Sequence, residues 1–233
     1  MNDFVGKVAP LYDELAFSGQ NILIAGMTGS GKSTILNGII NSILYEDAAE
    51  HQLLLVDLKR VEFSKFRNTA HCIGFAKTPS EIAILLDYLK RVISERLDEM
   101  ERRGIELWDG MTIHLIIDEM AELMLNGKEF SSALQSICQM GRAAGIQVIC
   151  ATQCPLAKVI PTEIKVNFAI IIGLHTAKAQ HSRNILDING CETLPMYGQA
   201  LVLYPTRGIE RVRVPKIPKE YLDKIIEINQ RTE

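Results

Sequence analysis

Short apolar runs alternate with longer segments of helical spacing along this 233-residue chain. Runs of this length, rich in Ile, Leu and Val, are typical of strands buried on both faces of a parallel sheet. They predict strands over residues 22–25, 52–56, 72–76, 111–119, 146–151 and 168–173. We therefore expect an α/β fold with a mostly parallel central sheet.

The segments between these runs predict helices on both faces of the sheet. Helical spacing covers residues 10–17, 32–45, 130–144, 177–186 and 219–229. A long helix should begin after Thr78, because Thr78, Pro79 and Glu81 form a capping box with proline in the first turn. Its charged second half favours a solvent-exposed face over a subunit interface. Apolar runs over 199–204 and 209–214 predict a C-terminal β-hairpin.

Length and composition favour one domain over two small ones, with a lead-in over residues 1–19 and a domain over 20–233. The net charge of −3 excludes a surface devoted entirely to nucleic acid, but it allows a few DNA-contacting loops repeated around an oligomer. Five cysteines without a C-x-x-C pair predict reduced thiols and no metal cluster. Without a bilayer-length apolar run or a signal-peptide start, we expect a cytoplasmic protein.

A glycine-rich loop follows the first predicted strand and opens a predicted helix. Gly26, Gly31, Lys32 and Ser33 match the pattern G-x-x-x-x-G-K-[ST], whose backbone N–H groups turn toward a polyphosphate. Lys32 would reach the β- and γ-phosphates of ATP, and the Ser33 hydroxyl would bind Mg²⁺. The same loop offers further nucleotide contacts from Thr28, Gly29, Ser30 and Thr34. A glycine turn that binds nothing is disfavoured, because a strand precedes the loop and a helix follows it.

Charged and polar side chains follow other predicted strands, at the edge where open α/β sheets bind ligands. Charged residues begin at Asp57, and the strand from residue 111 ends in Asp118 and Glu119. Asp118 would hold Mg²⁺, and Glu119 would polarise the attacking water; the alternative is a helix cap with an acidic first turn. Gln153 is placed to sense the γ-phosphate. His175 is interpreted as an edge histidine.

Six motifs together resemble the FtsK/SpoIIIE-type DNA translocases in order and approximate spacing over roughly residues 20 to 205. They are GMTGSGKS, VDLKRVEF, IIDEMAELM, GRAAGI, ATQCP and SRNILD. Members of that family are RecA-like P-loop motors that assemble as hexameric rings around double-stranded DNA and pump it with ATP. The resemblance implies a bare motor core, for chromosome segregation or for plasmid or conjugative DNA transfer.

The resemblance also implies roles for individual residues. Lys32 and Ser33 would bind phosphate and Mg²⁺, Asp118 would be the metal-linked acid, Glu119 the catalytic base, and Gln153 the sensor. Arg142 would be the finger inserted into a neighbouring subunit's site, with Arg183 as a second candidate; surface ion pairs are the alternative for both. Loops facing the central hole of the ring would carry basic side chains that contact the phosphates of DNA. These residues are Lys59, Arg60, Lys65, Arg67, Lys158 and Lys165.

The sequence departs from the family pattern in ways that keep other functions open. Cys154 stands where members usually have arginine after the sensor glutamine, and the family's membrane segments, companion domain and winged-helix DNA reader are absent from this sequence. A ring ATPase that drives protein secretion is the first alternative, and a nucleotide-gated binding or assembly module is the second. A small-molecule P-loop kinase is the weakest, because no acceptor-binding lid is evident.

Overall fold

An eight-stranded sheet forms the centre of the computed structural model, which describes residues 10–125, 127–153 and 162–231. The strand order is β3-β2-β4-β5-β1-β6-β7-β8; the first six strands are parallel, β7 is antiparallel to β6, and β8 is antiparallel to β7. The strands are β1 (Ile22–Ala25), β2 (His51–Val56), β3 (Cys72–Ala76), β4 (Thr112–Ile117), β5 (Ile146–Thr152), β6 (Ile170–Gly173), β7 (Gln199–Tyr204) and β8 (Gly208–Arg213). The predicted mostly parallel sheet and C-terminal hairpin are confirmed.

Helices cover both faces of this sheet. The helices are α1 (Pro10–Ala16), α2 (Lys32–Leu44), α3 (Pro79–Arg103), α4 (Met120–Leu125), α5 (Lys128–Met140), α6 (Thr162–Lys165), α7 (Ala179–Leu186) and α8 (Lys219–Ile228). One buried cluster joins the sheet to α1, α2 and α8, and a second joins it to α3, α4, α5 and α7. In the described ranges, no helix combines the length and the apolar character that crossing a bilayer requires.

Strand β1 shows how alternation divides the core between the two faces. Ile22 and Ile24 pack with α1 and α2, whereas Leu23 and Ala25 face the cluster that holds α3 and α5. Because β1 lies between β5 and β6, Ala25 is level with Thr152 and Gly173. The carboxyl ends of the parallel strands therefore share one edge of the sheet, and the site is built there.

The capping box at the start of α3 forms as the sequence predicts. Thr78 precedes the helix in an extended conformation, and its side chain accepts a hydrogen bond from the backbone N–H of Glu81. Pro79 occupies the first turn, and the left-handed Gly104 ends the helix. Cys72, Cys138, Cys150 and Cys191 are buried and unpaired.

The prediction of a helix through residue 144 was wrong at its C-terminal end. Helix α5 ends at Met140, and the chain turns back so that the Ile146 N–H donates to the Gly141 carbonyl at 2.8 Å. Gly145 completes the turn with a φ of +70°, a conformation that ends helical geometry. Arg142 consequently lies in a turn before β5 and not on the helix.

Three smaller differences separate the observed elements from the predicted ones. Strand β6 begins two residues later than predicted, because the N–H groups of Asn167 and Phe168 close the turn of α6. Helix α7 begins at Ala179, two residues later than predicted. The short α4 was not predicted, because its six residues are too few to show helical periodicity.

Candidate nucleotide-binding site

The glycine-rich loop lies between β1 and α2 and is tied to both neighbouring strands. The Gly26 N–H donates to the Thr152 carbonyl at 3.3 Å, and the Met27 N–H donates to the His175 carbonyl at 3.0 Å. His175 itself is fixed by a 2.7 Å hydrogen bond between its Nδ1 and the Leu194 carbonyl. These bonds hold the loop at the carboxyl edge and in front of the α2 N-terminus, where a helix attracts anions.

Small residues are required by the geometry of this loop. A Cβ on Gly26 would lie 2.7 Å from both Leu174 Cβ and Ser30 Oγ. Gly29 and Gly31 have φ angles of +80° and +106°, which other residues rarely adopt. The Ser30 hydroxyl is buried within the described structure without a hydrogen-bond partner. A backbone this closely folded, with an unmatched polar atom, fits the phosphate chain of a nucleotide.

Lys32 is the buried cation of the site. Its side chain folds back over the loop, and Nζ donates to the carbonyls of Gly26 at 2.8 Å and Met27 at 2.9 Å. Burial lowers the pKa of Lys32 to about 8, against the opposing effect of Glu119 and Asp118. An added polyphosphate would supply the negative charge that this buried ammonium lacks.

Asp118 and Glu119 follow β4 and lie within reach of the same cavity. Asp118 is only 8% exposed, and its pKa is raised to about 6 by burial and then by the carboxylates of Glu62 and Asp57. A concentration of carboxylates that raises a pKa in this way also favours a divalent cation.

Glu119 is held in place by several donors. Its Oε1 accepts from Thr152 Oγ1 at 2.8 Å and from the Gln153 backbone N–H at 3.1 Å. Lys59 Nζ lies 3.4 Å from its Oε2. The Gln153 side chain in turn accepts a hydrogen bond from Thr28 Oγ1 at 2.7 Å, so Gln153 contacts both Glu119 and the glycine-rich loop.

The loop after β2 brings in residues whose roles the sequence did not reveal. Ser33 Oγ donates to Glu62 Oε1 at 2.7 Å, and Lys59 contacts Glu119. Both residues line a cavity of about 390 Å³ together with the residues predicted for the nucleotide, among them Thr28, Gly29, Gly31, Lys32, Ser33, Thr34, Asp118 and Gln153. The charged residues after the second predicted strand were the only hint of these roles that we found in the sequence, and they did not identify Ser33 and Glu119 as the contacts of this loop.

A second cavity, of about 470 Å³, adjoins the first along Gly29, Gly31 and Thr34. Tyr197 and Lys216 line its other side, and the Tyr197 side chain is 74% exposed. An exposed aromatic ring beside a phosphate loop offers a stacking surface of the size of a nucleobase. Sequence reasoning missed this residue, which lies 165 positions after Lys32.

Oxygen donors make this site suitable for Mg²⁺. Ser33 and Asp118 would hold the ion together with phosphate oxygens of the nucleotide, since hydroxyl and carboxylate oxygens are the ligands that Mg²⁺ prefers. Within residues 10–125, 127–153 and 162–231, no group of three His, Cys, Asp or Glu side chains has the arrangement of an independent metal site. The residues therefore fit a metal that enters with the nucleotide.

The two predicted arginines lie away from this cavity. Arg142 precedes β5, whose seven residues separate it from Thr152 and Gln153 by about 20 Å at the usual rise per residue. It lines a cavity at the opposite edge of the sheet with Trp108 and Gln147. Arg183, on α7, is exposed and donates to Asn189 Oδ1 at 2.7 Å and Gln180 Oε1 at 3.1 Å.

The basic residues predicted to face DNA have different surroundings. Lys59 lines the cavity beside the glycine-rich loop. Lys165 donates to Asp187 at 2.9 Å, and only 14% of the Lys165 side chain is exposed. Arg60, Lys65 and Arg67 are exposed. Cys154, Lys158 and the predicted loop over residues 155–161 lie outside the described residues.

Comparison with known proteins agrees with the motif order. The sequence model of the FtsK/SpoIIIE family matches residues 4–110. The DNA translocase FtsK of Mesorhizobium japonicum is 31% identical over 88% of this chain. The predicted resemblance to the FtsK/SpoIIIE family is confirmed. The chain spans about a quarter to a third of the length of the curated relatives it matches.

Solved structures share the fold. The pCW3 conjugation coupling protein TcpA, in its monomer form with ATPγS, is 25% identical with a TM-score of 0.79, over 91% of this chain and 65% of that one. The cytoplasmic domain of the Type VII secretion ATPase EccC from Thermomonospora curvata is 20% identical with a TM-score of 0.75, over 90% of this chain and 28% of that one. The fold is that of P-loop ATPases.

Proposed function

We propose that this FtsK/SpoIIIE-type chain is the motor core of an ATP-driven double-stranded DNA translocase that works in the cytoplasm as an oligomeric, hexameric ring. The observation that carries the proposal is the shared edge at which the phosphate loop, the Asp118–Glu119 pair and Gln153 line one cavity or touch one another. The curated relatives named DNA translocases support the choice of DNA as the cargo.

One subunit supplies most of the groups that ATP hydrolysis requires. The phosphate-loop N–H groups and Lys32 would bind the phosphates, and Ser33 and Asp118 would hold Mg²⁺, whose charge would neutralise that of the phosphates. Glu119 accepts a proton from water as the water oxygen attacks the γ-phosphorus and the bond to the β-phosphate oxygen breaks. Gln153, bonded to Thr28 and adjoining Glu119, registers whether the γ-phosphate is present.

An oligomer is needed to complete the site. Seven strand residues separate Arg142 from the carboxyl edge, so its guanidinium would act only on the nucleotide of a neighbouring subunit. Such an arginine neutralises charge that develops on the γ-phosphate in the transition state. Arg183 remains the second candidate, because it is exposed on α7, where it contacts Gln180 and Asn189.

A second candidate function is protein translocation. The EccC domain, described as a secretion ATPase, has the same fold, and the net charge of −3 suits a cargo other than DNA. The two functions differ in what stimulates hydrolysis, because each motor turns over faster on its own cargo.

ATPase rates with and without double-stranded DNA test the proposal, measured across protein concentrations at low salt. We expect a rate that rises with DNA, increases more than linearly with protein, and is lost in Lys32→Ala and Glu119→Gln. Glu50→Ala, which changes an exposed glutamate before β2, is the matched control and should leave the rate unchanged. A rate that ignores DNA but rises with a secreted protein substrate would favour the second function.

A further inference from the structure

The loop between β2 and β3 places a carboxylate on the hydroxyl that the proposed function assigns to Mg²⁺. Ser33 Oγ donates its proton to Glu62 Oε1 at 2.7 Å. Ser33 is the second residue of α2, whereas Glu62 lies 29 positions later in a separate loop. The contact is therefore built by the tertiary fold and not by local sequence.

A fully buried carboxylate fixes the backbone that carries Glu62. Asp57 directly follows β2 and has no exposed surface, and its side chain accepts hydrogen bonds from the N–H groups of Val61, Glu62 and Phe63 at 3.3, 3.0 and 2.9 Å. The Phe63 side chain is 1% exposed and anchors the end of the loop in the core. With three N–H groups bound to Asp57, Glu62 has a defined position opposite Ser33.

This position determines what the Ser33 oxygen can do. A serine hydroxyl has one proton and two acceptor lone pairs, and its proton otherwise rotates to any nearby acceptor. With the proton donated to Glu62, the lone pairs of Ser33 Oγ are left for a cation in the cavity that Ser33, Glu62 and Asp118 line. Outer partners of this kind orient metal ligands and raise their basicity.

We propose that Glu62 is a positioning residue for Mg²⁺, acting through Ser33 by holding the hydroxyl proton and directing its oxygen lone pairs toward the metal. The inference rests on the ATP use in the proposed function and is independent of the DNA cargo. Glu62 adds to the carboxylates of Asp118 and Glu119 and is opposed in the same cavity by the cations Lys32 and Lys59. A divalent cation balances that group of charges.

Two other roles for Glu62 predict a different effect of removing it on the Mg²⁺ dependence of nucleotide binding. If Glu62 competed with Mg²⁺ for Ser33, removing it would strengthen the effect of the metal on nucleotide binding. If Glu62 only supported the fold, removing it would weaken nucleotide binding equally with and without the metal. The three roles therefore differ in the Mg²⁺ concentration needed for half of the metal's effect.

The test is a fluorescence titration of mant-ADP binding as Mg²⁺ is varied, with EDTA as the metal-free reference. For Glu62→Ala we expect the half-saturating Mg²⁺ concentration to rise about 10- to 100-fold, with unchanged mant-ADP affinity in EDTA. Glu62→Gln keeps an acceptor oxygen and should give a smaller rise. Glu50→Ala removes an exposed glutamate at the opposite edge and should match the wild type.

A double substitution checks that the effect passes through Ser33. Ser33→Ala should itself weaken the Mg²⁺ dependence, and adding Glu62→Ala should then change little further. An unchanged or lower half-saturating Mg²⁺ concentration in Glu62→Ala would overturn the inference, as would an equal loss of affinity in EDTA. A wild-type chain that binds no mant-ADP with or without Mg²⁺ would instead contradict the proposed ATP use itself.

Discussion

Replacing Asp118 with asparagine should stabilise the protein at pH 8, and this gain should shrink as the pH falls toward 4. Burial and the neighbouring carboxylates of Glu62 and Asp57 raise the pKa of Asp118 from 3.8 to about 6. The folded protein therefore holds this proton more tightly than the unfolded chain does. The resulting stabilisation is fully present below pH 3.8 and is lost as the pH rises through about 6.

The size of the effect follows from the pKa difference. About two pKa units correspond to at most about 3 kcal/mol between the two ends of this pH range. Asparagine carries no charge at any of these pH values, so Asp118→Asn lacks this dependence. The variant should thus unfold with a free energy up to about 3 kcal/mol higher than the wild type at pH 8, and with little difference near pH 4.

Urea unfolding, monitored by the fluorescence of the single tryptophan Trp108, measures this difference between pH 4 and pH 8 in EDTA. Asp98→Asn, which changes an exposed carboxylate on α3, is the control and should show no such pH dependence. A gain for Asp118→Asn that is the same at both pH values, or a loss of stability at pH 8, would refute the electrostatic account of this site.

Three further predictions concern the turn before β5, the opposite edge and the second cavity. Gly145→Ala should lower the free energy of unfolding by about 1–3 kcal/mol, because a Cβ would lie 2.6 Å from Trp108 Cδ1 at a φ of +70°; urea unfolding measures the loss. Arg142→Ala and Glu119→Gln should each abolish ATPase activity, and mixing them should restore part of it if sites are shared between subunits. Tyr197→Ala should weaken mant-ADP binding by about tenfold, whereas Tyr197→Phe should not, because the ring supplies the stacking surface.

The sheet was predictable from sequence because its order follows from burial. Parallel strands covered on both faces need continuous apolar residues, so β1, β2 and β3 were recognisable almost to the residue. The phosphate loop was recognisable for a different reason: its chemistry lies within eight consecutive positions, from Gly26 to Ser33. Neither inference required knowing which strands are neighbours.

The contacts between distant loops were not predictable in the same way. Glu62 meets Ser33, and Lys59 meets Glu119, only because β2 is paired with β4 and the loop after β2 folds around Asp57. A single sequence contains the charged residues but not the strand order that selects their partners. Tyr197 lies beside the phosphate loop because of the path that the chain takes between β6 and β7, which is also a tertiary property.

The end of α5 shows where local propensity was misleading. Residues 142–144 are Arg, Ala and Ala, which favour a helix, yet the chain leaves the helix at Gly141. The chain has to turn there because β5 begins at Ile146, and Trp108 donates its backbone N–H to the Ala143 carbonyl at 2.8 Å. Tertiary hydrogen bonds thus override a helix preference of a few tenths of a kcal/mol per residue.

Movement along DNA is the central claim of the proposed function, and displacement of a third strand from a DNA triplex measures it directly. A fluorescent oligonucleotide bound to a long duplex is released when a motor travelling along that duplex reaches it. We predict release that requires ATP and Mg²⁺, slows as the triplex is placed farther from the free end, and is absent in Glu119→Gln. ATP hydrolysis that is stimulated by the duplex without any release of the third strand would contradict translocation.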